Sequence, residues 1–130
     1  DGVLREADFL ALCVPLTDET RGMIGMRELS LLRPGAYLVN TSRGGIVDEG
    51  ALFQVLSAGS IAGAGMDVFV TEPPAADHPL LSLRNFVATP HVAGATVEAM
   101  RRMATDLAED VLRVLRGERP LYPVNPEVCR

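Results

Sequence analysis

Three polar side chains of the types used in acid–base chemistry, Arg43, Glu72 and His91, stand at turns within a few residues of short apolar runs. Such runs are typical of buried parallel strands. In open α/β sheets the ligand lies at the carboxyl ends of the strands, so we expect the three side chains at one edge of a sheet. A guanidinium that holds an anion, together with an imidazole backed by a carboxylate, suits proton-coupled chemistry on a small acid.

Each of these residues also has a purely structural interpretation. An isolated arginine in a glycine-rich turn is most often a solvated side chain, and a single loop histidine or glutamate is more often structural than catalytic. The position of Arg43 beyond a buried strand, with Gly44 and Gly45 leaving room around it, favours a binding role, because a guanidinium grips a carboxylate with two hydrogen bonds. If Glu72 meets His91, it would fix the tautomer of the imidazole. The three residues in this order therefore predict a site.

Asp67 ends a glycine-rich apolar run, where an unpaired carboxylate would be costly to bury. Two interpretations stay open: Asp67 accepts a hydrogen bond from a bound amide, or it pairs with a neighbouring backbone N–H. Gly63 and Gly65 lie inside the same run, and no third glycine opens a helix after them, so they make a weak dinucleotide fingerprint. His78 has no companion ligand and is expected to be a loop residue. We predict no metal site, because no zinc spacing occurs.

The elements that position these residues are predicted from apolar runs and turn residues. We predict strands over residues 8–14, 36–40, 61–68 and 85–89, and helices over residues 26–32 and from the Asp48 cap to the Gly59 stop. Strands that alternate with helices indicate right-handed βαβ units and a parallel α/β sheet. Because the first run is continuously apolar, its strand is expected to be buried on both faces.

A long amphipathic helix is predicted over residues 96–116, with Thr96 as its cap and Gly117 as its stop. Its apolar residues, Met100 and Met103 among them, recur at the spacing of a single stripe, which we expect to pack in a core. Residues 118–130 hold three prolines and no periodicity, and they are expected to form an irregular tail.

Bulk properties narrow the function classes. The 130 residues allow one domain with one core, and the net charge of −5 without a block of Lys or Arg predicts neither a nucleic acid nor a membrane as partner. No apolar run approaches the roughly 20 residues of a spanning helix. Cys13 and Cys129 are far apart and are expected to be reduced thiols, which favours a cytoplasmic protein. The chain opens at Asp1 without Met, so we expect it to be a piece of a longer protein.

Several motifs together resemble those of the D-isomer-specific 2-hydroxyacid dehydrogenases, a family that includes phosphoglycerate, glycerate, glyoxylate/hydroxypyruvate and D-lactate dehydrogenases. They occupy residues 13–17, 19–22, 32–36, 40–44, 65–69 with 72–73, and 89–94, in the order of the family. The resemblance runs through nearly all of residues 7–117. It implies the C-terminal half of a Rossmann-type doubly wound parallel sheet over residues 1–95. Residues 96–130 would be the long helix and tail that lead back towards an absent substrate domain.

The resemblance also implies site residues. Arg43 would bind the substrate carboxylate, His91 would transfer the proton and Glu72 would orient His91. Asp67 would face the nicotinamide carboxamide. The surface near the nicotinamide side of NAD would comprise Val14, Pro15, Thr20 as a weaker candidate, Thr41, Ser42, Arg43, Asp67, His91, Val92, Ala93 and Gly94.

The implied activity is hydride transfer between NAD(P)H and a small 2-oxo or 2-hydroxy acid, D-specific, in a homodimeric parent protein. NAD is expected, and NADP stays open because the glycine-rich turn and the following acidic position of the family are not in this chain. Because that turn and the substrate domain are missing, the chain alone is expected to be inactive. One alternative is an NAD-sensing interaction protein like the C-terminal-binding-protein corepressors, which resemble the same family. Another is a catalytically dead paralogue, which the presence of Arg43, Glu72 and His91 disfavours.

Overall fold

The computed structural model describes residues 1–128, so Cys129 and the expectation that it is a reduced thiol lie outside the described residues. The chain divides into two compact units, Asp1–Ala93 and Gly94–Arg130.

The first unit is built on a sheet of four parallel strands. They are β1 (Phe9–Leu12), β2 (Tyr37–Asn40), β3 (Gly63–Met66) and β4 (Phe86–Ala88). Their order in the sheet follows the chain, and all three neighbouring pairs are parallel. The predicted α/β fold is confirmed. Each strand is shorter than its apolar run, because the residues at the ends of each run lie outside the ladder and belong to the connecting segments.

One short helix precedes β1, and further helical segments connect the strands. They are α1 (Gly2–Glu6), α2 (Met26–Leu29), α3 (Glu49–Ser57) and a 3-10 helix, Pro79–Ser82. The predicted ends of α3 are confirmed: the Asp48 carboxylate accepts a hydrogen bond from the Ala51 N–H at 3.0 Å, and Gly59 follows the helix with a φ of +67°. Helix α2 is shorter than predicted, since residues 30–32 form a turn.

The core of the first unit lies on one face of the sheet. Side chains from the strands, from α2 and α3 and from the 3-10 helix meet in one cluster whose most buried members include Leu29, Leu38, Ile46, Leu52, Ile61, Met66 and Leu80. The expectation that β1 is buried on both faces is wrong. Leu12 is 5% exposed, whereas Phe9 is 74% exposed and stacks on Tyr37. The helices of this unit cover one face, and the apolar side chains of the other face contact solvent.

The second unit contains α4 (Val97–Leu115) and a tail with a short 3-10 helix, Pro126–Val128. Thr96 caps α4 as predicted, by accepting a hydrogen bond from the Ala99 N–H at 3.0 Å. The tail returns to the helix, because the Asp110 carboxylate accepts the N–H groups of Leu121 and Tyr122 at 2.6 and 3.1 Å.

The apolar stripe of α4 does not pack in a core within the described residues, so that expectation is wrong. Met100 and Met103 are 54% and 56% exposed, and no residue of α4 is buried. All members of the sheet core belong to the first unit. The described part of the tail contacts α4 through the polar groups of Asp110 and Arg113.

Candidate active site

The turns that follow β2, β3 and β4 are joined edge to edge by backbone hydrogen bonds. The Asn40 carbonyl accepts the Asp67 N–H at 2.9 Å, and the Asp67 carbonyl accepts the His91 N–H, also at 2.9 Å. These bonds extend the parallel ladder past the ends of the strands. The polar residues at the carboxyl ends of the strands therefore lie side by side, where α/β sheets bind ligands.

His91 and Glu72 form a hydrogen-bonded pair at this edge. The His91 Nδ1 lies 2.8 Å from the Glu72 Oε2, and because a carboxylate only accepts, Nδ1 carries the proton in this contact. The other Glu72 oxygen accepts the Phe69 N–H at 2.9 Å. The hydrogen bond from His91, followed by that from Phe69, lowers the pKa of Glu72 below its usual value. Glu72 is thus a carboxylate at neutral pH, and the Nε2 atom of His91 is left to face a ligand.

Asp67 builds the turn that carries His91. It is 3% exposed, and its carboxylate accepts the backbone N–H groups of Val92 and Ala93 at 2.9 and 2.8 Å and the Thr89 hydroxyl at 2.5 Å. These bonds hold His91 at a φ of +55°, a left-handed conformation that is strained for a residue with a side chain. Two interpretations of Asp67 were left open by the sequence, and the structure contains one of them, the pairing with backbone N–H groups. The N–H groups of Val92 and Ala93 are both directed at Asp67.

The ionisation state of Asp67 predicts how the stability of the fold changes in acid. Burial raises the pKa of Asp67, but the hydrogen bonds from Thr89, Ala93 and Val92 outweigh burial, and the net pKa is lowered. A carboxyl group whose pKa is lower in the folded than in the unfolded chain stabilises the fold at pH values above its unfolded pKa of about 3.9. This stabilisation is lost as the pH falls through the pKa of the folded state. We expect the free energy of unfolding to decline below about pH 4, and the Asp67→Asn variant to decline less, in urea titrations between pH 7 and pH 3. Equal declines in both proteins would contradict this assignment.

Asn40 organises the turn that carries Arg43. It is fully buried, and its Oδ1 accepts the N–H and the hydroxyl of Ser42 at 3.1 and 2.8 Å while its Nδ2 donates to the Arg43 carbonyl at 3.0 Å. The exposed Arg43 guanidinium donates one hydrogen bond to the Ser42 carbonyl at 2.6 Å, so most of its donors remain for a ligand. Sequence reasoning did not include Asn40 in the site. The sequence feature that could have identified Asn40 is the same as for Asp67, namely a polar residue at the end of a buried apolar run.

Gly44 brings the Arg43 turn into contact with the segment that carries Glu72. A β-carbon on Gly44 would lie 1.9 Å from the carbonyl oxygen of Phe69 and 2.7 Å from the Val70 nitrogen. The sequence suggested that Gly44 leaves room around Arg43. The structure shows a different requirement, because the turn rests on the peptide bond between Phe69 and Val70, and only glycine permits this approach.

Replacing Gly44 by alanine is therefore expected to destabilise the fold by about 3 kcal/mol or more, because two backbone segments must separate to admit the methyl group. Gly35→Ala is the matched control, since a β-carbon there meets nothing within 4 Å and the backbone is not left-handed. Urea unfolding of both variants checks the prediction. Equal stability of the two variants would show that the turns are free to move apart.

Most of the site residues named from the sequence fall into two sets. Asp67, Glu72 and His91 line a cavity of about 180 Å³ together with Phe69, Pro73, Pro74, Thr89 and Pro90. An open groove is lined by Val14, Pro15, Thr41, Ser42 and Arg43 together with Leu12, Cys13 and Leu16. The cavity has room for a small organic acid or a single ring and is below the usual size of a pocket for a larger ligand.

Four of the named residues line neither the cavity nor the groove. Val92 and Ala93 direct their N–H groups at Asp67, and the other two are Thr20 and Gly94. The Thr20 hydroxyl donates to the Pro15 carbonyl and accepts the Thr17 N–H, both at 2.7 Å, so it shapes the loop after β1. Gly94 belongs to the second unit. Among residues 1–128 there is no cluster of three side chains able to hold a metal ion, and no helix in this part of the chain is long and apolar enough to cross a membrane.

Comparison with known proteins places this geometry in a family. Residues 1–93 match the family model described as D-isomer specific 2-hydroxyacid dehydrogenase, NAD binding domain. The glyoxylate reductase of Korarchaeum cryptofilum (strain OPF8) is 50% identical over 128 residues, which are 98% of this chain and 39% of that protein.

Solved structures give the same result. The NAD-complexed D-isomer specific 2-hydroxyacid dehydrogenase of Lactobacillus delbrueckii ssp. bulgaricus superposes with a TM-score of 0.84 at 35% identity, covering 95% of this chain and 42% of that one. The corresponding enzyme of Xanthobacter autotrophicus Py2, in complex with NADPH and MES, has a TM-score of 0.78 at 36% identity, covering 99% and 52%. The chain thus spans about two fifths of the length of its curated relatives. Because the family model matches well over half of these residues, the chain belongs to the D-isomer-specific 2-hydroxyacid dehydrogenases and contains part of their NAD-binding domain.

Proposed function

We propose that the full-length protein carrying this chain is an oxidoreductase that transfers a hydride between NAD(P)H and C2 of a small 2-oxo or 2-hydroxy acid, with D specificity. The observation that carries the proposal is the His91–Glu72 pair, 2.8 Å apart in a cavity of small-molecule size at the carboxyl edge of the sheet. Family membership supplies the reaction class.

His91 is the proposed proton carrier. With Nδ1 held by Glu72, its Nε2 gives a proton to the carbonyl oxygen during reduction and takes it back during oxidation. The Glu72 carboxylate fixes the tautomer and the orientation of the imidazole. Arg43 is the proposed ligand of the substrate carboxylate, because its exposed guanidinium keeps free donors beside the same edge.

The residues present fit the nicotinamide end of the cofactor. The groove from Val14 to Arg43 combines apolar side chains with the hydroxyls of Thr41 and Ser42, which suits a ring attached to a ribose. When bound, the cofactor supplies or accepts the hydride. We propose NAD, with NADP as the alternative. We propose that the pyrophosphate is held by residues outside this chain, since no G-x-G-x-x-G turn occurs in its sequence.

The remaining parts of the proposal concern the whole protein. Residues 1–95 form the C-terminal half of the NAD-binding domain, and residues 96–130 form the helix and tail that lead to a substrate domain. The protein acts as a cytoplasmic homodimer.

Asp67 remains a proposed contact of the nicotinamide carboxamide. Both of its oxygens already accept hydrogen bonds within the chain, so a bond from the carboxamide would be made in addition to them.

The test is NADH oxidation by the full-length protein with glyoxylate, hydroxypyruvate, phosphohydroxypyruvate and pyruvate in turn. We expect turnover of at least one acid, with glyoxylate tried first because several relatives are glyoxylate reductases. The 130-residue chain, assayed beside it, is expected to be inactive. NADH binding without turnover of any 2-oxo acid would overturn the enzymatic proposal and favour the sensing role.

A further inference from the structure

Outside the cavity, a second histidine–carboxylate pair joins α3 to the segment before the Pro79–Ser82 helix. The His78 Nε2 lies 3.2 Å from the Glu49 Oε2, and because a carboxylate only accepts, Nε2 donates in this contact. The two side chains are only 20% and 17% exposed. His78 is a loop residue, as predicted, but Glu49 is its partner, and water screens this contact weakly.

Glu49 also holds the backbone next to Glu72. Its second oxygen accepts the Val70 N–H at 2.8 Å, while Glu72 accepts the preceding N–H, that of Phe69, at 2.9 Å. The two carboxylates thus hold consecutive N–H groups. Gly44 packs against the carbonyl of the same peptide, and the His78 ring meets the Phe69 ring edge-on with centroids 5.4 Å apart. The peptide bond between Phe69 and Val70 is therefore held by Glu49 at its N–H group and by Gly44 at its carbonyl group, while the His78 ring packs against the Phe69 side chain.

We infer that Glu49 and His78 are positioning residues that hold the segment from Phe69 to Glu72 so that the Glu72 carboxylate stays against His91. The inference deepens the proposed function and rests on it for its kinetic consequence. Neither residue lines the cavity that contains His91, so neither is expected to touch substrate. Glu49 and His78 line a separate surface depression, whose other charged residues are Arg21 and Asp48. Neither Arg21 nor Asp48 forms a salt bridge with Glu49 or His78.

The first test is the imidazole ¹⁵N NMR spectrum of the chain, which does not depend on turnover. The protein has two histidines, so the spectrum contains one set of signals for His78 and one for His91. We expect His91 protonated on Nδ1 and His78 on Nε2. In Glu49→Ala, the His91 signals are expected to move towards those of Glu72→Gln. His91 signals that change in Glu72→Gln and stay unchanged in Glu49→Ala would overturn the inference.

The second test is a double-mutant cycle on kcat in the full-length protein. Glu49→Ala is expected to lower kcat about ten- to hundredfold while the KM for NADH stays within about twofold, because the pair acts on the geometry of proton transfer. In the Glu72→Gln background the same substitution is expected to lower kcat by less than about twofold, since Glu49 acts through Glu72. Independent, multiplicative losses would overturn the inference.

Matched variants keep the tests decisive. Asp77→Asn is the control, because this exposed neighbour of His78 makes no side-chain hydrogen bond in the described part of the chain, and no change is expected. His78→Phe keeps the ring contact with Phe69 and removes the donor, and it serves if Glu49→Ala does not fold. We expect it to shift the His91 signals in the same direction as Glu49→Ala. If no 2-oxo acid is turned over, the proposed function fails while the NMR test still decides the positioning role.

Discussion

Replacing His91 by asparagine is expected to lower kcat of the full-length protein by about 10²- to 10⁴-fold, the usual contribution of a positioned acid–base group. Asparagine suits this position because it tolerates the left-handed backbone that His91 adopts at a φ of +55°. Its amide can still donate to Glu72, but it has no atom that gains and loses a proton near neutral pH. Steady-state kinetics with the preferred 2-oxo acid measure the effect.

Two controls separate lost chemistry from lost structure. The NADH dissociation constant and the melting temperature of His91→Asn are expected to match those of the parent, since the Asp67 bonds that hold the turn are untouched. Glu72→Gln is expected to retain more activity than His91→Asn, because the imidazole that carries the proton is still present. A His91→Asn variant with kcat within about threefold of the parent would exclude His91 as the proton carrier.

Replacing Asp67 by asparagine is expected to lower the free energy of unfolding by about 2–4 kcal/mol. Three donors converge on the Asp67 carboxylate, two of them backbone N–H groups. An amide offers one acceptor oxygen, and its NH₂ group would face one of these donors on the other side. Because residue 67 is 3% exposed, water has little access to replace the lost acceptor, which is the reason for the large effect.

The destabilisation should depend on how many bonds are removed. Thr89→Val deletes one donor and leaves both backbone bonds, so its cost is expected to be about 1 kcal/mol. Asp77→Asn makes the same chemical change as Asp67→Asn on an exposed side chain and is expected to change stability by less than about 0.5 kcal/mol. Urea unfolding at pH 7 compares the three variants. Equal stability of Asp67→Asn and Asp77→Asn would contradict the role given to Asp67.

The hydrogen bonds of Asp67 also predict an effect on activity. Because Asp67 holds the N–H groups directly after His91, Asp67→Asn is expected to lower activity beyond its effect on the folded fraction. Asn40 stands in the same relation to Arg43, with its amide closing the turn after β2. Two buried polar residues thus prepare the two turns that carry the proposed chemical groups, in the way that second-layer contacts orient functional side chains elsewhere.

The sequence by itself determined the order of strands and helices, the caps Asp48 and Thr96, and the presence of Arg43, Glu72 and His91 at turns. These features are local, since apolar periodicity and capping depend on residues a few positions apart. The resemblance to a known family came from short motifs in a fixed order. None of these signals needs a tertiary contact in order to be detected.

Only the tertiary structure decided which groups meet. The contacts of Asp67 with Val92 and Ala93, of Glu49 with Val70 and His78, and of Gly44 with Phe69 join residues 21 to 29 positions apart. No local pattern encodes such pairs, because they depend on how parallel strands place successive turns at one edge. The exposed faces of the sheet and of α4 were equally invisible in the sequence. An apolar run reports that a side chain can be buried, whereas packing determines which face finds a partner.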